Sequence, residues 1–125
     1  MTPVEVAVDT YIRAVCKSDH ETRVALLEQC LAPDIRMVTS GREICGRTEF
    51  VGELNRFLSD PNLAQVRVSS AVQAKGKTFR YRAIAEFKNG TSAEAFDAGE
   101  IDAKGRIALI LTFAGPLPDV PQGSS

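Results

Sequence analysis

Histidine occurs once in this chain, at His20, and cysteine three times, at Cys16, Cys30 and Cys45. An odd number of widely spaced cysteines with no C-x-x-C pair argues against a disulfide scaffold and against a zinc site. His20 follows Ser18-Asp19 at a helix start, where it reads as a solvated residue rather than a ligand or base. A Cys16–His20 nucleophile pair would have to act across a helix break, which is poor geometry for it. The formal net charge is −1, so no electrostatic attraction toward nucleic acid or an anionic membrane surface is expected. No apolar run approaches the roughly 20 residues of a membrane span. The amino terminus lacks the basic-then-apolar pattern of a secretion leader. There is no internal repeat. The expectation is a cytoplasmic protein with no metal and no other cofactor.

What is present is an ordinary globular composition: 125 residues, 44% hydrophobic and 25% charged. That is enough chain to bury one real core. A single domain is expected over residues 1–115, followed by a Pro/Gly/Ser-rich tail over 116–125 that cannot form regular structure.

The first half has helical spacing. Thr2-Pro3-Val4-Glu5 is a capping box, with proline at the first helical position. Val4, Val8, Tyr11 and Val15 then make one buried stripe. Ser18-Asp19-His20-Glu21 repeats the capping pattern, and the helix after it buries Val24, Leu27, Cys30 and Leu31 before Pro33 ends it. A short strand is predicted over 35–39, a loop at Ser40-Gly41-Arg42, and a third helix over 47–59 with Phe50, Leu54, Phe57 and Leu58 on one side. Arg36, Arg42 and Arg47 are expected on the outside or at a cavity mouth.

The second half alternates with strand period. A strand is predicted over 65–74, and then one in which Phe79, Tyr81, Ala83, Ala85 and Phe87 share a face opposite Arg80, Arg82 and Glu86. Asn89-Gly90 is a strong hairpin signal, and Asp102 to Gly105 supplies the next turn. The last strand, Ile107 to Ala114, is apolar on both faces. Helices can cover one side, and a second copy of the chain is expected on the other.

Between those turns lies the most informative stretch. Alternation puts Ala93, Ala95, Asp97, Gly99 and Ile101 on one face and Glu94, Phe96, Ala98 and Glu100 on the other. Asp97 is the one carboxylate on a face otherwise small and apolar. Such a group needs a partner or a proton. Either it is a structural carboxylate held by Tyr11, a backbone amide or an arginine, or it lines a cavity and exchanges a proton there. Burial without a cation raises its pKa and makes it a hydrogen-bond donor; an arginine would do the reverse. Met37, Phe79, Tyr81, Phe87 and Phe113 are core residues first and cavity walls second.

Three helices and a short strand followed by an antiparallel meander form an α+β arrangement. Tyr11-Ile12 with Ser18-Asp19, the run Leu31 to Met37, Ile44 to Arg47, and Phe96-Asp97 through Ile107 occur in an order that resembles the nuclear transport factor 2 (NTF2)-like superfamily. Within it, the order resembles the SnoaL-like and ketosteroid-isomerase-like proteins. The resemblance implies a cystatin-like cone, in which three N-terminal helices pack in a curved, mostly antiparallel sheet around a hydrophobic cavity. It also implies catalytic roles for Tyr11 and Asp97, as the oxyanion tyrosine and aspartic acid of the isomerases, and a cavity lined by Met37, Thr39, Phe79, Tyr81 and Phe113. The isomerase proton shuttle falls near Thr39, and threonine is no general base, which argues against steroid isomerisation. The SnoaL-type histidine has no counterpart, and Arg80-Tyr81-Arg82 lacks the aspartate of the epoxide hydrolases. Two functions therefore stay open. One is proton transfer on a small apolar or carbonyl-containing ligand, by isomerisation, cyclisation or dehydration. The other is a non-catalytic, homodimeric module that binds a ligand or a protein.

Overall fold

The amino-terminal cap forms as its residues dictate. Glu5 N–H donates to Thr2 Oγ1 at 3.3 Å, and the Glu5 carboxylate accepts from Thr2 N–H at 3.0 Å. In the computed structural model, which describes residues 1–17, 19–39, 41–115 and 117–123, this cap opens α1 (Pro3–Lys17). The elements that follow are α2 (His20–Cys30), β1 (Leu31–Thr39), β2 (Arg42–Cys45), α3 (Arg47–Leu58), β3 (Leu63–Val68), β4 (Gln73–Lys75), β5 (Thr78–Phe87), β6 (Ser92–Ile101) and β7 (Ile107–Ala114).

Four local expectations change. Asp19 caps α2, accepting from Thr22 N–H at 2.8 Å; the expected Ser18 cap lies outside the described residues, as do Ser40 in the loop and Pro116, Ser124 and Ser125 in the tail. Pro33 does not stop α2, because the helix gives way at Leu31 to a strand that includes the proline. Pro33 is exposed and falls where the β1–β7 register shifts, so its missing N–H costs no ladder bond. The strand expected over 65–74 is broken into β3 and β4, both beside β5. The chain between them has more residues than β5 does, a bulge in which Ser70 Oγ accepts from Arg82 N–H at 2.8 Å. At Asn89-Gly90 only the glycine takes positive φ (89°). Gly90 N–H bonds to the Phe87 carbonyl at 3.1 Å, the three-residue loop rather than the two-residue turn.

The sheet order is β2-β1-β7-β6-β5-β3, with β4 also on β5. Only β1–β7 is parallel. Register shifts in β1–β7, β3–β5 and β6–β7 bend the sheet, since each extra residue kinks its strand and increases the local twist. The result is a mixed, mostly antiparallel seven-stranded sheet curved around the three helices. The core lies where the three helices meet that sheet: Val8, Leu27, Leu31, Ile35, Phe50, Ile107 and Ile110 are essentially inaccessible. Arg47 ties the end of α2 down by donating to the Glu28 and Leu31 carbonyls, each at 3.3 Å. Arg36 pairs with Glu43 at 3.2 Å on the exposed β1–β2 hairpin. Beyond β7 the tail carries no strand or helix among its described residues, and Leu117 and Val120 are exposed.

Candidate ligand pocket

Antiparallel register aligns the inner faces of β5, β6 and β7 in rows. Phe79, Gly99 and Ile110 form one row, and Tyr81, Asp97 and Thr112 the next. Ala83, Ala95 and Ala114 follow, then Ala85 and Ala93. Directly opposed residues on one face meet side chain to side chain. The first row is packed: Phe79 is buried and stacks on Tyr81 with ring centroids 6.2 Å apart. Its ring lies over Gly99, where a Cβ would come within 2.7 Å of Phe79 and 2.2 Å of the Leu109 carbonyl oxygen. Beyond the polar row come alanines only. Five methyl groups where larger side chains could stand leave a hollow, which α1 and α3 cannot fill from the other side.

That hollow is a pocket of about 310 Å³. Tyr11, Ile12 and Val15 of α1 and Leu54 and Phe57 of α3 wall it on the helix side, and Val66, Val68 and Phe87 on the sheet side, with Met37 from β1. Cys16 also lines it, as do Glu53 and Glu94. Glu53 is bridged by Arg42 at 3.0 Å and by Arg56, so the arginine expected at a cavity mouth does reach one of its lining residues.

Asp97 stands in the row next to the packed floor, flanked by hydroxyls on both neighbouring strands. Burial raises its pKa from 3.8, and the Thr112 and Tyr81 hydroxyls that face it pull the other way without cancelling the shift. One carboxylate oxygen, Oδ1, is buried with no hydrogen-bond partner among the described residues. No cation among the described residues acts on the carboxylate. Burial pushes the Tyr11 hydroxyl well above the usual phenol range, with the Asp97 charge next in importance; Tyr81 behaves alike, with Tyr11 and then Asp97 adding to burial. Both phenols therefore stay protonated as donors.

The structure brings Tyr11, Met37, Tyr81 and Asp97 together in this pocket. It leaves three expected lining residues out. Phe79 lies in the packed row beneath. Thr39 sits at the end of β1, where its hydroxyl donates to the Arg42 carbonyl at 3.5 Å across the hairpin. Phe113 is 58% exposed on the outer face: its neighbour Thr112 points into the pocket, and strand alternation turns Phe113 away. No direct hydrogen bond joins Tyr11 to Asp97 among the described residues, and the hydroxyls that face Asp97 belong to Tyr81 and Thr112. Thr112 carried no signal in a strand apolar on both faces; only pairing with Asp97 reveals it. Among the described residues no three His, Cys, Asp or Glu side chains gather as a metal site.

No family model matches the sequence, and neither does any curated protein. Solved structures do match. A candidate isomerase of the SnoaL-like family from Agrobacterium tumefaciens str. C58 is 20% identical with a TM-score of 0.78, over 93% of this chain and 100% of that one. An NTF2-like protein of unknown function from Burkholderia xenovorans LB400 is 16% identical (TM-score 0.71, 96% of this chain and 88% of the other). The chain has the NTF2-like fold. An LEH-like epoxide hydrolase from M. tuberculosis shares it at 18% identity, TM-score 0.68, over 90% of this chain and 83% of its own. At these identities the NTF2-like fold is what is shared, and the chemistry has to come from the pocket.

Proposed function

We propose that this NTF2-like domain binds a small, largely apolar molecule in its cone, with the molecule's polar end held at Asp97. The observation that carries this is the polar row Tyr81–Asp97–Thr112 beside an alanine-lined hollow. Apolar walls with a few convergent polar groups are the usual make-up of a ligand site, and about 310 Å³ is at the small end of the range. A thermal-shift screen of apolar ketones, phenolics and amines tests it, since a ligand bound only by the native state raises the melting temperature. Binders should lose their effect in Ala95→Phe, which fills the hollow. A hit that shifts this variant as much as the parent chain would bind elsewhere.

A second reading is proton transfer on a carbonyl compound, by isomerisation, cyclisation or dehydration through an enol. The raised pKa of Asp97 supports it, because a carboxylic acid that keeps its proton can donate to a carbonyl oxygen. So do the solved structures of a candidate isomerase and an epoxide hydrolase with this fold. Against it, Thr39 lies outside the pocket, and Glu53 and Glu94 are each engaged by arginine. No uncompensated carboxylate is left among the described lining residues as a partner base for Asp97, so binding is the better-supported function. Enzyme-dependent deuterium exchange α to the carbonyl of a bound ketone would reverse that order.

We further propose a homodimer through the outer sheet face, where Phe96 and Phe113 are cross-strand partners and Ala98 and Leu111 the next pair. The chain's own helices lie on the other side. A cytoplasmic setting fits three cysteines that form no disulfide, and no helix among the described residues is long and apolar enough to cross a membrane.

A further inference from the structure

We propose that the buried end of the ligand is a positively charged amine and that the Asp97 carboxylate is its counter-ion. This rests on the reading of the cone as a binding pocket and names the class of molecule it takes.

The charges around the pocket set the first constraint. Its described lining contains three carboxylates, Glu53, Glu94 and Asp97, and no lysine, arginine or histidine. A carboxylate or phosphate ligand would give up its hydration and meet no cation there, only another negative group. Anionic ligands are excluded on that ground.

The three carboxylates are not equivalent. Arginines already compensate Glu53, as described, and Glu94 lies 3.9 Å from Arg82. Asp97 has no such partner among the described residues. The groups that act on it or share its end of the pocket are Tyr81 on β5, Thr112 on β7, and Tyr11 and Cys16 on α1, none of them positively charged. A ligand cation would meet no competing cation among the described residues.

Hydrogen-bond inventory separates an amine from a carbonyl compound. The Tyr81 and Thr112 hydroxyls stand directly across from Asp97 and favour its ionised form, in which the carboxylate can only accept. Oδ1 still lacks a donor. An ammonium group brings three N–H donors and no acceptor. A carbonyl oxygen brings none, and would satisfy Oδ1 only if the carboxyl itself supplied the proton. An ammonium also brings the charge that offsets the cost of keeping Asp97 ionised under burial. Tyr11, Tyr81, Phe57 and Phe87 line the same hollow, and a cation within about 6 Å of an aromatic face is attracted to it.

The test is a head-group series on one apolar body: 2-naphthylmethylamine, 2-naphthylmethanol, 2-acetylnaphthalene and 2-naphthoate, titrated into the full chain by calorimetry at neutral pH. The amine should bind at least about tenfold more tightly than the alcohol, as charge-assisted bonds exceed neutral ones, and the naphthoate should show no binding. Asp97→Asn should bring the amine down to the alcohol's affinity. The ranking in the unaltered chain decides the matter whether or not the variant folds. Ketone or alcohol binding as tightly as the amine would overturn the inference and leave the pocket reading in place. Failure of all four probes with a folded protein would overturn both.

Discussion

Asp97 is a carboxylate that the fold makes reluctant to ionise. Its folded pKa lies above the ordinary value of 3.8 because burial outweighs two favourable hydroxyls. The folded state therefore holds a proton that the unfolded chain has already lost. The resulting contribution to stability is fully present below 3.8 and is lost as pH rises through the folded value. Asp97→Asn removes that loss, so its stability relative to the parent chain should be more favourable at pH 8 than at pH 4 in denaturant titrations. Taking the difference matters, because hydrogen bonds hold Glu5, Asp19 and Glu86 below their usual range, and these lose stability as pH falls. A relative stability that does not change with pH would show that Asp97 titrates as in the unfolded chain. Gly99 makes the opposite kind of demand, for space rather than charge. A methyl there would meet the Leu109 carbonyl oxygen and the Phe79 ring below ordinary contact distance. Gly99→Ala should cost about 3 kcal/mol in equilibrium unfolding, the upper part of the overpacking range.

The helices divide their labour. In α2, Leu27 is fully buried in the core, and Leu27→Ala should cost about 3 kcal/mol through lost transfer energy and the cavity left behind. In α3, Phe57 is 42% exposed and lines the pocket, so Phe57→Ala should cost less than about 1 kcal/mol while weakening ligand binding. Parallel unfolding and binding measurements on the two variants check that split. Strand legibility follows the same physics. In β5 one face is apolar and the other charged, and in β6 small residues alternate with Glu94 and Glu100, so parity reads directly from Tyr81, Ala83, Arg80 and Arg82, and from Ala93 and Ala95 against Glu94. In β7 both faces are apolar, and parity had no marker. Alternation alone therefore does not show that Thr112 points inward and Phe113 outward. The hairpin strand β2 escaped detection because four residues carry too little pattern, and the β3–β4 break because a bulge leaves the alternation on either side intact.

On the scale of the whole molecule, the curved sheet has one face on helices and one in solvent. The outer face carries Phe113 at 58% exposure beside its cross-strand partner Phe96, an apolar pair a monomer would leave in water. The proposed dimer should appear in sedimentation at tens of micromolar. Phe113→Glu should convert it to monomer while leaving the circular dichroism spectrum and ligand binding unchanged, since the side chain points away from the pocket. A parent chain that sediments as a monomer would remove the proposal.

By itself the sequence determined which segments are helices, which long strands alternate, where the turns fall, and that a lone carboxylate sits on a small, apolar face. These properties are local. They rest on capping, on the 3.6 and 2.0 periods of side-chain direction, and on residues suited to tight turns. Only the tertiary structure decided which residues stand beside that carboxylate. Tyr81 and Thr112 are separated from Asp97 by 16 and 15 positions and meet it through register, which bulges and turns set jointly along three strands. The same pairing brings the alanines into adjoining rows and so creates the hollow. A row across a sheet is a property of several strands at once, and no single strand contains it.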